Sequence, residues 1–188
     1  MKKGITKILS ACVFAFVVFL AAGTQSKAAV NMGVKQTGAG SSYVDLAWNA
    51  QLGAGHYHTQ FSQDGKNWID MEYSSSPSDS VYNLTQGASY YARVVAYNGS
   101  HYSGTHVMVG VSETAIVSTK PTEVTGLTQT AAGVNSVSMS WNASAGAASY
   151  VIYGYINYNW TQIGTSATNS ATITGVAATT STKFSVAA

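Results

Sequence analysis

The sequence predicts an all-β protein: two β-sandwiches in tandem behind an N-terminal leader. A strand motif occurs twice, as VDLAWNA over Val44–Ala50 and as VSMSWNA over Val137–Ala143. In each copy apolar residues alternate with polar or small ones and end on a Trp, the two-residue period of a strand with one buried face. No stretch after the leader shows helical periodicity of useful length. We therefore expect Trp48 and Trp141 to be equivalent core residues of two separate sandwiches.

The similarity between the two copies continues downstream in the same order. A Gly/Ala-rich turn follows each repeated Trp, then a strand that begins with Tyr, then a second Trp. The matched segments are Gly53–Gly55 with Gly146–Ala148, Tyr57–Phe61 with Tyr150–Tyr153, and Asn67–Ile69 with Asn159–Thr161. The first copy continues through Leu84, a Gly-containing turn and Tyr90 into alternating apolar residues. This order resembles the immunoglobulin-like fibronectin type III family. In that family a Leu and a Gly-containing turn lead into the sixth strand, which has a Tyr followed by alternating apolar residues.

The resemblance implies a first domain over 30–119 with seven strands named A, B, C, C′, E, F and G. We expect them near 31–37 (A), 43–48 (B), 56–62 (C), 67–72 (C′), 80–84 (E), 90–97 (F) and 112–118 (G). Asp64 and Gly65 should supply the two positive-φ residues of a tight C–C′ hairpin. Tyr90 occupies the place of the family's tyrosine corner, so its hydroxyl should bond to the backbone just before strand F.

Lys120-Pro121 marks the boundary, and the second domain is expected over 121–188. Its strands should lie near 124–131 (A), 136–141 (B), 149–156 (C), 160–164 (C′), 171–176 (E) and 182–188 (F). Thr182 replaces the corner tyrosine, which weakens the expected stability of this unit. Strand G does not follow. Either the protein continues beyond these residues, or another chain donates the missing strand.

Residues 1–28 have the composition of a secretory signal peptide, with a basic start, an apolar run from Ile8 to Ala22, and small residues before a cleavage point after Ala28. The run is shorter than the roughly 20 residues that span a bilayer, which disfavours an uncleaved anchor. Leu9–Cys12 looks like the lipid-attachment box of bacterial lipoproteins. Most of the apolar run follows Cys12 instead of preceding it, so we interpret that match as accidental. We expect a bacterial protein that is secreted or held at the cell surface, without stable membrane insertion.

Removal of the leader changes both the net charge and the cysteine content of the chain. Five of the nine Lys and Arg residues remain against seven Asp and Glu, and the single Cys is lost. The domains must then be stable without disulfides. The product is slightly acidic, and its basic residues are scattered, so it has no basic cluster that would bind phosphate backbones. Nucleic acid is therefore not an expected partner.

Catalytic motifs are missing from the sequence. It contains no nucleophile elbow, no His-Glu-x-x-His and no Gly-rich phosphate loop. Asp64, Asp70 and Glu72 fall near one hairpin, but a glycosidase carboxylate pair needs a deep cleft, which a small sandwich rarely offers. We therefore predict no catalytic residues, no enzyme activity and no cofactor.

His56 and His58 have ligand-like spacing because residues two apart share one face of a strand. His101 and His106 lie in the loop between strands F and G, and F should neighbour C. This arrangement is compatible with a surface Zn²⁺ or Ni²⁺ site. No carboxylate or Cys completes a closed ligand set, so our interpretation is an exposed polar face opposite Tyr57 and Phe61, with no metal.

Aromatic residues are the better lead to a ligand surface. The long F–G loop, 98–110, carries the recognition surface in many relatives, and several tyrosines and a tryptophan crowd one hairpin of the second unit. The candidate ligand residues are Tyr97, His101, Tyr102, Tyr155 and Tyr158, beside the structural residues Trp48, Tyr90 and Trp141. Exposed aromatics stack on sugars or anchor proteins. The family's integrin-binding Arg-Gly-Asp is absent.

Two functions are compatible with these observations. The first is a non-catalytic spacer or adhesion module of a longer secreted or surface protein that engages a protein partner. The second is an accessory, glycan-binding part of a polysaccharide-acting enzyme.

Overall fold

The computed structural model of the chain describes residues 29–103, 106–176 and 182–188. The predicted signal peptide and positions 104–105 of the predicted F–G loop lie outside the described residues. In the described ranges every regular element is a strand, except for one 3-10 turn at His101–Ser103. The all-β prediction is therefore confirmed, and no helix in these ranges is long and apolar enough to cross a membrane.

The first unit is a sandwich of two sheets. Its strands are β1 (Ala29–Val30), β2 (Lys35–Ala39), β3 (Val44–Ala47), β4 (His56–Ser62), β5 (Ile69–Ser74), β6 (Ser78–Val81), β7 (Ser89–Tyr97), β8 (Met108–Ser112) and β9 (Ala115–Ser118). One sheet has the order β2-β3-β6. The other has the order β1-β8-β7-β4-β5, with β9 also paired to β7.

The predicted inward faces of the first unit form its core. Val44, Leu46 and Trp48 are buried from one sheet, and alternate residues of β7 from Tyr90 to Ala96 are buried from the other. The Trp48 indole is only 5% exposed. Period-two alternation therefore identified the buried faces correctly.

Several strand boundaries of the first unit differ from the prediction, and three of the differences have a local reason. Strand A is divided into β1 and β2, since Gly33 between them has φ +61°. Strand E ends at Val81, and Asn83 after it is left-handed with φ +61°. Strand G begins earlier than predicted, at Met108 inside the predicted F–G loop, and it is divided into β8 and β9. At the break the Glu113 carboxylate accepts the N–H groups of Met32 (2.9 Å) and Val34 (3.0 Å).

The C–C′ connection is not the two-residue hairpin predicted from Asp64-Gly65. The β4–β5 ladder ends at the pair Phe61 and Ile69, so the loop is longer, and only Gly65 has positive φ. Asp64 works through its side chain: the carboxylate accepts the backbone N–H of Asn67 and of Lys66, both at 2.8 Å. These bonds, the one from Asn67 foremost, hold the pKa of Asp64 well below its ordinary value.

The second unit repeats the two-sheet plan with fewer strands. They are β10 (Thr128–Ala132), β11 (Ser136–Ser140), β12 (Tyr150–Ile156), β13 (Asn159–Ser166), β14 (Ser170–Thr174) and β15 (Phe184–Ala187). The sheets have the orders β10-β11-β14 and β13-β12-β15. In the described ranges β15 pairs with β12 on one edge and with no strand on the other. Strand A starts later than predicted because Gly126 has φ +67°, and strand E ends earlier because Gly175 has φ +79°.

Each unit has its own core. Trp141 is 3% exposed and packs with Met139, Tyr150 and Ile152 in a cluster separate from that of the first unit. The expectation of two separate sandwiches, each with a buried Trp, is therefore confirmed.

The two units meet at what we call the junction, formed by the turn at Gln86-Gly87 of the first and the turn at Gly146 of the second. A Cβ atom built on Gly146 would lie 2.5 Å from the Gln86 carbonyl oxygen and 2.7 Å from the Gly87 Cα. Backbone lies against backbone here, with no room for a side chain on either glycine.

Candidate functional site

All four histidines of the chain gather at one edge of the first unit, in what we call the four-histidine cluster: His56, His58, His101 and His106. His56 and His58 come from β4, and the register pairs them with Tyr97 and Val95 of β7. His101 and His106 lie between β7 and β8 in the chain, and their ring centres are 5.6 Å and 5.1 Å from that of His56.

His56 is the buried member of the cluster. Its side chain is 0% exposed, and Nδ1 lies 3.0 Å from the carbonyl oxygen of Gly99. A carbonyl can only accept, so Nδ1 carries a proton, and in the neutral ring Nε2 presents a lone pair. That Nε2 is buried without a hydrogen-bond partner. The expectation that His56 and His58 share an exposed polar face is therefore wrong for His56, because the F–G loop covers it.

The remaining ring nitrogens converge on the same space. His58 Nε2 and His101 Nδ1 are 3.2 Å apart. One nitrogen each from His56, His58 and His101 can be chosen so that all three lie within 4.8 Å of one another. His106 adds a second buried nitrogen without a hydrogen-bond partner, its Nδ1, and its ring centre lies 5.1 Å from that of His56. These residues could hold a metal ion.

Tyrosine rings wall the four-histidine cluster. Tyr97 stacks on His56 with centroids 5.3 Å apart and an interplanar angle of 12°, and Tyr73 lies 4.3 Å from His101. Tyr97 was a candidate ligand residue, but it is half-buried, and burial raises the pKa of its phenol. Tyr102, in contrast, is 86% exposed at the rim.

Electrostatics favour the neutral form of His58. Burial lowers its pKa below the ordinary 6.5, and the other three histidines lower it further, while Asp70 acts in the opposite direction. A neutral imidazole is the form that binds metals.

Asp64 and Asp70, two of the three acidic residues near the C–C′ hairpin, take part in structural hydrogen bonds. Asp70 accepts a hydrogen bond of 2.6 Å from Gln60, and Gln60 in turn accepts one of 2.7 Å from Arg93. Arg93 also lies 4.0 Å over the ring of Trp68. This chain of contacts runs along a sheet surface.

A second aromatic group, the hairpin aromatic surface, lies at the β12–β13 hairpin and consists of Tyr155, Tyr158 and Trp160. Tyr155 and Trp160 are cross-strand partners with centroids 5.3 Å apart. Tyr158 is 89% exposed at the tip and has φ +64°, beside Asn157 with φ +49°. Two consecutive positive-φ residues form a type I′ turn, a place that Gly fills far more readily than Tyr.

The same tertiary contacts recur in both units. Trp48 meets Tyr57 edge-on at 5.4 Å and 67°, and Trp141 meets Tyr150 at 5.3 Å and 66°. The two tyrosine hydroxyls accept backbone N–H groups six residues earlier, from Gln51 at 3.1 Å and from Ser144 at 3.0 Å.

The predicted tyrosine corner is also present. The Tyr90 hydroxyl accepts the backbone N–H of Thr85 at 2.9 Å, five residues before it. With the A-B-E and C′-C-F-G order of the first unit, and the same frame in the second, this decides the fold. The chain is a pair of fibronectin type III-like sandwiches.

Known proteins that are similar to the chain include a bacterial chitinase and solved segments of fibronectin type III domains. No protein-family model matches the chain. It is 33% identical over 162 residues to Chitinase A1 of Niallia circulans, an alignment that covers 82% of this chain and 22% of the chitinase. The chain thus spans about a fifth of the length of this curated relative. Among solved structures it is similar to a segment of two fibronectin type III domains from chicken tenascin (15% identity, TM-score 0.47, covering 81% of this chain and 86% of that one). It is also similar to the FN1–FN3 domains of chicken CNTN1 (14% identity, TM-score 0.42, covering 82% and 58%).

The sequence predicted which elements carry the aromatic candidates, but it did not predict how they pair. In the fibronectin type III-like frame it located His101, Tyr102, Tyr155 and Tyr158 on a loop and a hairpin, and the structure keeps them there. Trp160 belongs with Tyr155 as its cross-strand partner, a pairing that hairpin register could have shown. Convergence of four histidines depends on how the F–G loop folds back, which local patterns do not reveal.

Proposed function

We propose that the chain is a non-catalytic extracellular module that acts as a spacer of fixed geometry in a longer secreted or surface protein. The observation that supports this function is the junction. Its backbone is anchored on both sides of a single proline, so that little of the connection is free to move.

Anchoring at the junction begins in the first unit. Lys120 donates its N–H to Gly40 at 2.8 Å and accepts from Gly87 at 3.0 Å. Thr119 adds a bond from its hydroxyl to the Thr85 carbonyl at 2.6 Å. The end of the first unit is therefore fastened to its own turns.

Beyond Pro121 the chain is fastened to the second unit instead. Thr122 donates its N–H to Ala145 at 3.0 Å, and its carbonyl accepts the hydroxyl of Ser144. Pro121 has a restricted φ and no N–H to satisfy. A linker of this kind transmits orientation from one unit to the next, as a spacer requires.

Distance measurement between the units tests the proposal. Nitroxide labels would be placed at Ile116→Cys in the first unit and Val134→Cys in the second, both at exposed positions, in a Cys12→Ser background. Pulsed electron resonance should give one narrow distance distribution. The matched control carries a Gly-Ser insertion after Pro121 and should broaden it. A distribution as broad in the parent as in the insertion variant would refute the fixed spacer.

A specific observation favours a second function, glycan binding. The hairpin aromatic surface presents Tyr155, Tyr158 and Trp160 to solvent, and the chain is similar to a protein named as a chitinase. Aromatic faces stack on sugar rings. Binding to insoluble chitin should fall in Trp160→Ala and persist in Tyr82→Ala, which removes an exposed tyrosine of the first unit. Equal retention of both variants would count against this surface.

A further inference from the structure

We propose that the four-histidine cluster is a binding site for a first-row transition-metal dication, with Zn²⁺ as the representative ion. The ion would link His101 and His106 to His56 and His58 of β4. This inference is independent of the spacer and glycan proposals.

Distances between the rings agree with tetrahedral coordination. With zinc–nitrogen bonds of about 2.0–2.1 Å, a tetrahedron places ligand nitrogens about 3.3 Å apart and imidazole centres about 5 Å apart. The facing nitrogens of His58 and His101 are 3.2 Å apart. The ring centres of His56, His58 and His101 are separated by 5.2 to 5.6 Å.

His106 is the fourth ligand. Its ring centre is 5.1 Å from His56 but 6.5 Å from His58 and 6.4 Å from His101. A movement of this loop side chain by about 1 Å would complete the tetrahedron. Without that movement three histidines and one water make an open site, the arrangement of catalytic zinc centres.

Two buried nitrogens independently point to a ligand. His56 Nε2 and His106 Nδ1 are buried and have no hydrogen-bond partner, and a buried polar atom left unsatisfied is energetically unfavourable. His56 is also oriented as metal-binding histidines are, with its other nitrogen donating to a backbone carbonyl. A metal ion would satisfy both nitrogens together.

The donor set indicates the class of ion. Neutral imidazoles suit Zn²⁺, Cu²⁺ and Ni²⁺, whereas Ca²⁺ and Mg²⁺ prefer oxygen ligands. Asp70 lies close enough to act on His58 electrostatically, and it offsets part of the added positive charge.

Calorimetric titration with zinc tests the site. The full chain would be expressed without a polyhistidine tag and stripped with a chelator, with Cys12→Ser in every variant so that no thiol contributes. One zinc should bind per chain. His101→Gln should weaken binding by more than about 100-fold, because loss of even a second-shell partner costs about 10–100-fold. Tyr82→Phe should bind as the parent does, since Tyr82 is an exposed tyrosine of the first unit outside the four-histidine cluster.

Two separate measurements report on the folding of the variant and on the coordination of the zinc. Far-ultraviolet circular dichroism of metal-free His101→Gln should match the parent, because the substitution lies on a loop. X-ray absorption of the zinc complex should show three or four nitrogen ligands at about 2.0 Å. Absence of saturable binding, equal affinity in folded His101→Gln, or a coordination shell made only of oxygen would each overturn the proposal.

Discussion

Replacing Gly146 with Ala should disturb the junction, and the chain contains a matched control at Gly53. Both glycines have φ +80° and occupy the same turn of their units. The turn hydrogen bonds also correspond, at 3.0 Å from Ala54 to Gln51 and 3.2 Å from Ala147 to Ser144. The two sites differ in what lies against them, because a Cβ on Gly53 would meet nothing within 4 Å.

The magnitude follows from two contributions. Left-handed backbone costs an L-residue about 1–2 kcal/mol, so both Ala variants should destabilise their own unit by that amount. Only Gly146→Ala adds a steric conflict, at 2.5–2.7 Å from the backbone of Gln86 and Gly87. Favourable carbon contacts need about 3.5–4.0 Å, so the units must move apart by roughly 1 Å at this point or lose the contact.

Urea unfolding and pulsed electron resonance separate these contributions. The two variants should lower the free energy of unfolding of their own units by similar amounts. The distance distribution between labels in the two units should broaden in Gly146→Ala and stay narrow in Gly53→Ala. A narrow distribution in both variants would show that the close approach of Gly146 and Gly87 does not set the orientation.

Three further predictions concern single side chains. Tyr90→Phe leaves the Thr85 N–H without its acceptor and should lower the free energy of unfolding of the first unit by about 1–3 kcal/mol in urea titrations; an unchanged midpoint would contradict the tyrosine corner. Tyr158→Gly relieves a positive φ and should raise the stability of the second unit by about 1 kcal/mol, while it weakens any chitin binding; a loss of stability would show that Tyr158 is not strained. In metal-free protein the pKa of His58 is lower in the folded chain than in the unfolded chain. As pH falls, the unfolded chain therefore takes up a proton at a higher pH than the folded chain does. Stability should therefore decrease below about pH 6.5, and His58→Gln should flatten this part of the pH profile of the melting temperature. An identical slope in that variant would assign the effect to another titratable group. The groups around His58 are His56, His101, His106, Asp70 and Tyr97.

Local patterns were sufficient for the strands and their buried faces. Alternation marked Val44, Leu46 and Trp48 as inward, because the side chains of a strand point to opposite faces in turn. Strand ends were less predictable. Gly33, Asn83 and other left-handed residues interrupt pairing, and a sequence permits positive φ at Gly or Asn without requiring it.

The repeated motif alone determined that this protein consists of two β-sandwiches with equivalent tryptophans, because burial of one strand face is encoded residue by residue. Tertiary structure decided the junction and the four-histidine cluster. Contact between Gly87 and Gly146, and between histidines 43 residues apart such as His58 and His101, depends on how turns and loops fold over the sheets. No local period records those long-range approaches, since the free energy that fixes them comes from packing between segments distant in sequence.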